Sequence, residues 1–184
     1  VLCGDFHTLW GNPNIHDSLC GVAFEISPQA FFQVNPPQAE RLYNLAVTYA
    51  VKNDPSLVLD LYCGAGTISL CLAKHTKKVI GAEIVPEAVE NARANARRNH
   101  IENAEFICAD AGQAAQELAR RALHPDTIVV DPPRKGLSES VIDAISDMQP
   151  GCLVYVSCNP ATLARDLLRF QDKNYIMQIG RAHV

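Results

Sequence analysis

The 184-residue chain is short of aromatic residues, with Phe, Tyr and Trp at 7% and a single tryptophan. No apolar run approaches the roughly 20 residues needed to cross a bilayer, so no membrane span or membrane partner is expected. Basic charge is scarce as well. Sixteen Lys and Arg stand against twenty Asp and Glu, a net −4, which is no overall signature of a nucleic-acid binder. A local patch or a further domain would have to supply that charge. No signal-peptide pattern follows Val1, and the chain does not open on Met, so its true start is read as absent. There is no CxxC pair and no Cys/His spacing that suits zinc, so no metal site is expected. The seven cysteines (Cys3, Cys20, Cys63, Cys71, Cys108, Cys152 and Cys158) are odd in number. Their simplest reading is reduced thiols in a cytoplasmic protein. Internal repeats and low-complexity linkers are missing too, and the length suits one domain with its own core.

What is present is alternation. Apolar runs of about five residues at 57–61, 79–82, 104–108, 127–130 and 152–156 each precede a helical pattern, at 67–75, 86–99, 111–122, 138–147 and 160–171. Such runs predict a parallel sheet covered on both faces, a doubly wound α/β fold whose ligands gather at the carboxyl ends of the strands. Tyr175–Ile179 is a candidate sixth run. Before this series, residues 36–52 read as an amphipathic helix capped by Asn35 and opened by Pro36, with Leu42, Leu45, Ala46 and Tyr49 on its apolar face. A hairpin is expected ahead of it, from strands at 21–26 and 31–34 with Ser27-Pro28 in the turn. The last six residues, IGRAHV (179–184), are what the common sequencing-adapter string ATCGGAAGAGCACACGTC encodes. They are read as an appended tail, with the natural chain continuing from about residue 178.

Acidic residues end four successive strands. Asp60 stands in "DLYCGAGTISL", followed by Gly64 and Gly66, whose lack of a side chain lets backbone approach a ligand. Glu83 follows the second run, placed to accept hydrogen bonds from two ribose hydroxyls. Asp110 follows the third, in "CADA", placed for an adenine edge. Asp131 ends the fourth, in "DPPRKG". The set points to a nucleoside-bearing cofactor, either NAD or S-adenosylmethionine. Ser69 stands where the dinucleotide fingerprint has its third glycine, which favours the second. At the fifth strand, "VYVSCNPATLARD" puts Cys158 at a strand tip just before a helix, where the positive end of the helix favours a thiolate. Cys63, Cys71, Cys108 and Cys152 lie in apolar runs or helices and are expected to be packed.

The segments "SPQAFFQVNPPQAERLY", "DLYCGAGTISL", "GAEIVPEAVENARANARRN", "DPPRKGL" and "VSCNPATLARDL" together resemble the S-adenosylmethionine-dependent RNA uracil-5-methyltransferases, over about residues 15–170. Two of them, "FFQVNPPQAERLY" and "PATLARDL", look more like the branch acting on 23S ribosomal RNA than the tRNA branch. The resemblance implies a Rossmann-like class I methyltransferase sheet, here truncated at its C-terminal end. It divides the chain into an N-terminal segment and hairpin (1–35), the methyltransferase domain (36–178) and the tail (179–184). It also implies covalent catalysis: a Cys158 thiolate adds to uracil C6, C5 then takes the donor's methyl group, a base removes the C5 proton, and the cysteine is eliminated.

By the same carry-over, Gln33, Tyr62, Gly64, Gly66, Glu83, Asp110 and Asp131 bind the donor or the target base. Phe31, Pro132, Arg134 and Asn159 serve the RNA side, with Phe31 near a base flipped from its stack and Arg134 at a phosphate. The cation at Arg134 separates the chain from enzymes that methylate exocyclic amino groups, which carry an aromatic there. The Pro-Cys pair of RNA cytosine-5-methyltransferases is missing too. In the family the general base is a Glu beyond the sixth strand, and an RNA-binding barrel and a cysteine-rich iron–sulfur region lie upstream. This chain is therefore expected to be a monomeric catalytic fragment that carries no cluster itself.

Overall fold

The computed structural model describes residues 7–28, 32–33 and 35–178. Phe31 and the 179–184 tail lie outside the described residues. Thirteen elements follow in order: β1 Ile15–Leu19, β2 Val22–Ile26, α1 Pro36–Ala50, β3 Leu57–Leu61, α2 Thr67–Ala73, β4 Lys78–Glu83, α3 Pro86–Arg98, β5 Ala104–Cys108, α4 Ala111–Arg120, β6 Thr127–Val130, α5 Glu139–Asp147, β7 Cys152–Tyr155 and α6 Pro160–Asp172.

Strands β3 to β7 form one parallel sheet in the order β5-β4-β3-β6-β7. The order reverses at β3, which places a crevice between the carboxyl ends of β3 and β6, where open α/β sheets bind ligands. The central strand β3, "LVLDL", is buried at every position because α1 and α2 cover one face and α4 and α5 the other. This is the α/β doubly wound, Rossmann-like sheet expected from the alternating runs.

The N-terminal hairpin is real but differs from the expected one. Val22–Ile26 pairs antiparallel with the preceding Ile15–Leu19, and Phe32 and Gln33, the described residues of 31–34, are not in a strand. Its two-residue turn is Cys20-Gly21, with φ of 51° and 67°, both left-handed as the twist of a tight hairpin requires. Leu19, Val22, Phe24 and Ile26 enter the same core cluster as α1 and α2.

A ladder of asparagines on α3 receives the hairpin's free edge. Asn99 and Asn95 each accept from a backbone N–H of β2, Ala23 at 2.9 Å and Glu25 at 2.8 Å, and donate back to the carbonyls of the same residues. Asn91 donates to Ser27 Oγ. Spaced four apart, the three side chains share one helix face and stand in for a neighbouring strand.

Two further expectations are corrected. The face that α1 buries carries Ala39, Tyr43, Ala46, Val47 and Ala50, whereas Tyr49 is exposed. Its small residues let α1 lie close on α2 and the sheet. Residues 175–178 form no strand. The last turn of α6 closes on Lys173 and Tyr175, whose N–H groups both donate to Phe170 O, and Tyr175 packs edge-on against the Phe170 ring at 5.3 Å. Among the described residues β7 is therefore an edge strand.

Candidate active site

The carboxyl ends of the five parallel strands carry the residues singled out in the sequence. After β3 the chain turns sharply. Tyr62 adopts a left-handed φ of 67°, costly for a residue with a Cβ, and its N–H and that of Cys63 both donate to Ala82 O. Gly64 follows at φ 55°, with open space where a Cβ would point. Gly66, at φ 83°, caps α2, and a Cβ there would meet Ala92 and the Phe106 ring at 3.0–3.2 Å. The two glycines thus sit differently: a side chain at Gly64 would face open space, while one at Gly66 would crowd Ala92 and the Phe106 ring.

Glu83 joins this turn to the next. Its Oε2 accepts from Gly64 N–H at 3.1 Å, and its Oε1 accepts from the N–H groups of Ile84 and Val85. Asp110 is the N-cap of α4, in a reciprocal capping box with Gln113. One carboxylate oxygen is thereby engaged on its own helix, and the side chain stays exposed at the rim. Burial pushes the Tyr62 phenol up, and Asp110, Asp166 and Glu83 add to the effect, so this ring sits at the meeting point of the acidic strand ends.

At the crevice, burial raises Asp131 to about 6. Fully buried Asp60 is raised to about 7, first by burial, with the charges of Asp131 and Glu83 adding to it. Asp60 Oδ2 accepts from Ser69 Oγ at 2.5 Å, and Oδ1 is buried with no partner among the described residues. Tyr43 of α1 faces the same space. Its phenol is pushed up to about 12 by burial foremost and by Asp131 next, against hydrogen bonds from Thr67 and Gln33. Gln33 is thus brought to the crevice with Asp131. Tyr43 and Thr67 are additions that the sequence reading missed, because Tyr43 resembles any other helix-face aromatic.

On the other side of Asp131, Cys158 is exposed, two residues beyond Val156, whose N–H pairs with Val130 O at 2.8 Å. Asn159 caps α6 by accepting from Ala161 N–H, and its Nδ2 donates to Arg134 O at 3.1 Å. The 13-residue α6 directs its N-terminus toward the thiol's segment. Pro132 is buried beneath, whereas the Arg134 side chain is exposed. The structure thereby gathers Gln33, Tyr62, Gly64, Glu83, Asp131, Pro132, Arg134, Cys158 and Asn159 along one edge of the sheet. The other thiols divide. Cys63 and Cys71 are buried, and burial holds both thiols well above the usual range. Cys108 is exposed, contrary to expectation, because it ends the edge strand β5, and Cys152 is half-buried at the start of β7.

Comparison with known proteins decides the family. The model of the tRNA (uracil-5-)-methyltransferase family matches residues 18–181. The chain belongs to this family. An uncharacterized RNA methyltransferase of Clostridium acetobutylicum is 49% identical over 168 residues, covering 91% of this chain and 36% of the relative. One from Clostridium tetani is 48% identical, covering 95% and 38%. The crystal structure of a Pyrococcus abyssi tRNA (uracil-54, C5)-methyltransferase in complex with S-adenosyl-L-homocysteine is 36% identical, with a TM-score of 0.75, over 86% of this chain and 38% of that one. A methyltransferase of Agrobacterium tumefaciens, 22% identical with a TM-score of 0.67, shares the fold. The chain spans 36–39% of the length of the curated relatives it matches.

Proposed function

We propose that residues 36–178 form the catalytic domain of a cytoplasmic RNA uracil-5-methyltransferase that uses S-adenosylmethionine, with Cys158 as nucleophile and 23S ribosomal RNA as substrate. The observation that carries this reading is the exposed Cys158 thiol in the segment after β7, the strand next to β6 and its Asp131, with the neighbouring Asn159 tied to the "DPPR" loop at Arg134 O.

The donor fits the residues present. S-adenosylmethionine is cationic at sulfur and at its amino group, and the strand ends are acidic, with Glu83, Asp110 and Asp131 along the edge and Asp60 buried beneath them. A diphosphate-bearing cofactor would be repelled there. Gly64 offers open backbone, and the unpartnered Asp60 Oδ1 is a buried acceptor of the sort a ligand or its bound water satisfies. Glu83, Tyr62 and Asp110 would hold the adenosine side, and Gln33 and Asp131 the reacting side.

When bound, the donor supplies an electrophilic methyl group. Uracil C5 is too weak a nucleophile to take that group unaided. Addition of the Cys158 thiolate to C6 would form an S–C bond and move the electron pair of the C5–C6 double bond onto C5, making C5 nucleophilic enough to take the methyl group as the donor's sulfonium S–CH3 bond breaks and the thioether leaves. A base then takes the C5 proton, the double bond re-forms and the thiolate leaves. Arg134, exposed on the same loop, would face phosphate, and the uridine must leave its stack to reach the thiol. The choice of 23S over transfer RNA rests on the "FFQVNPPQAERLY" and "PATLARDL" segments.

The test is mass spectrometry of the chain incubated with S-adenosylmethionine and short RNAs carrying 5-fluorouridine, since fluorine at C5 blocks elimination. A stable adduct mapped to Cys158, lost in Cys158→Ala, is the expected result. A folded, donor-binding protein whose adduct persists in Cys158→Ala would overturn the nucleophile. Reaction with tRNA-derived but not 23S-derived RNA would overturn the substrate.

A further inference from the structure

The loop after β6 is anchored at its ends by buried Pro132 and Leu137, while Pro133, Arg134 and Lys135 between them are exposed. The backbone of Arg134, Lys135 and Leu137 is bound by side chains of Asn159, the N-cap of α6, and of Thr162, Arg165 and Asp166 in its first two turns. Arg134 O accepts from Asn159 Nδ2 at 3.1 Å and from Thr162 Oγ1 at 3.2 Å. A guanidinium N–H of Arg165 donates to Lys135 O at 2.9 Å and to Leu137 O at 3.2 Å. Asp166 Oδ2 accepts from Leu137 N–H at 2.8 Å.

Asp166 is the centre of this clamp. It is fully buried, and it also accepts from Tyr155 Oη at 2.8 Å and from Arg165 Nε and a second guanidinium nitrogen at 2.8 and 2.7 Å. Four donors on two oxygens leave the carboxylate fully satisfied. Gly136 completes the fit. It turns at φ 72°, and a Cβ there would run into Asp166 Oδ2 and Thr162. A buried ion pair is weak evidence for stability, because desolvation offsets most of the attraction. What such a network gives is a single geometry. Here the geometry relates two functional segments: the 131–134 stretch that ends at Arg134, and the Cys158–Asn159 tip from which α6 starts.

We propose that Asp166, acting with Arg165 and Thr162, is a positioning residue that fixes the 131–137 loop against Cys158. This rests on the nucleophile reading above. A displacement of about 1 Å between catalytic groups costs on the order of 100-fold in rate. Gly64 and Glu83, on the donor's adenosine side, lie at the ends of β3 and β4, and Asp131 follows directly on β6, ahead of the bonds that begin at Arg134, so donor affinity should be spared.

The test compares Asp166→Ala and Asp166→Asn with wild type in three readouts: hydrogen exchange at the Leu137 amide, donor affinity, and the rate of Cys158 adduct formation with 5-fluorouridine RNA per donor-binding site. Expected are at least tenfold faster exchange, donor affinity within about twofold, adduct formation slowed roughly 100-fold in the Ala variant, and partial rescue by Asn, which keeps the shape and one acceptor. Should Asp166→Ala fail to fold, the double variant Arg165→Gln/Thr162→Val, both at partly exposed positions, is read in the same way. An unchanged adduct rate in a folded variant with accelerated Leu137 exchange overturns the positioning role alone. So does a parallel loss of donor affinity and adduct rate, the mark of general destabilisation. A wild-type protein that binds the donor but never labels Cys158 overturns the nucleophile reading, and the positioning role falls with it.

Discussion

Ser69 donates its hydroxyl to Asp60 Oδ2 across the contact between β3 and α2, and leaves Asp60 Oδ1 buried without a partner among the described residues. Hydrogen bonding from Ser69 does not offset complete burial of a carboxylate near Asp131 and Glu83, so Asp60 is raised to about 7. The folded-state value is above the unfolded one. Below pH 4 both states are protonated and the group has no effect. Between pH 4 and 7 the unfolded chain ionises while the folded protein keeps its proton, so stability falls as pH rises, and above about pH 7 the full cost remains. Asp60→Asn removes that cost. It should gain roughly 3 kcal/mol over wild type at pH 8 and little at pH 4. Urea midpoints across this range check it, and parallel pH curves for the two proteins would refute it.

Donor affinity should show the opposite dependence. Asp131 is raised to about 6 and Asp60 to about 7, so both are partly protonated under mildly acidic conditions. A cation prefers their ionised forms, and binding should therefore expel protons. Titration calorimetry with S-adenosylmethionine should find affinity rising about tenfold or more from pH 5 to 7.5, with proton release visible in buffers of different ionisation enthalpy. The upper limit stays below the range where an α-amino group loses its own proton. A flat profile would mean that neither carboxylate faces the donor.

The sheet was legible for a specific reason. The runs at 57–61, 104–108 and 127–130 match β3, β5 and β6 residue for residue, because these strands carry continuous apolar stretches between turn signals. The hairpin was misplaced because its turn uses Cys20 in a left-handed conformation, and a cysteine there carries no turn signal. Acidic strand ends and Cys158 could be read because topology alone sends strand tips to one edge. The asparagine ladder of α3 could not, although its spacing of four was visible, since nothing in the sequence says that β2 lies against that face. The same holds for Asp166, whose partners come from three separate segments, and for the exposure of Cys108, which follows from β5 being an edge.

Two glycines, Gly81 and Gly64, should separate packing from ligand approach. Gly81 lies in β4, and a Cβ there would stand 2.7 Å from the Phe106 ring and 2.9 Å from Cys63 Sγ, both in the core. Neither neighbour can move freely, so Gly81→Ala overpacks and should cost about 1–3 kcal/mol of folding stability. At Gly64 a Cβ meets open space, but φ is 55°, and the left-handed backbone alone costs an alanine about 1–2 kcal/mol. The stability losses therefore overlap, and donor binding tells them apart. The Gly64 methyl would project where backbone is open to a ligand, so Gly64→Ala should lose donor affinity beyond its loss of stability. Gly81→Ala should keep nearly wild-type affinity once measured well below its melting temperature. Equal donor affinity in the two folded variants would remove Gly64 from the donor site and leave it a turn residue only.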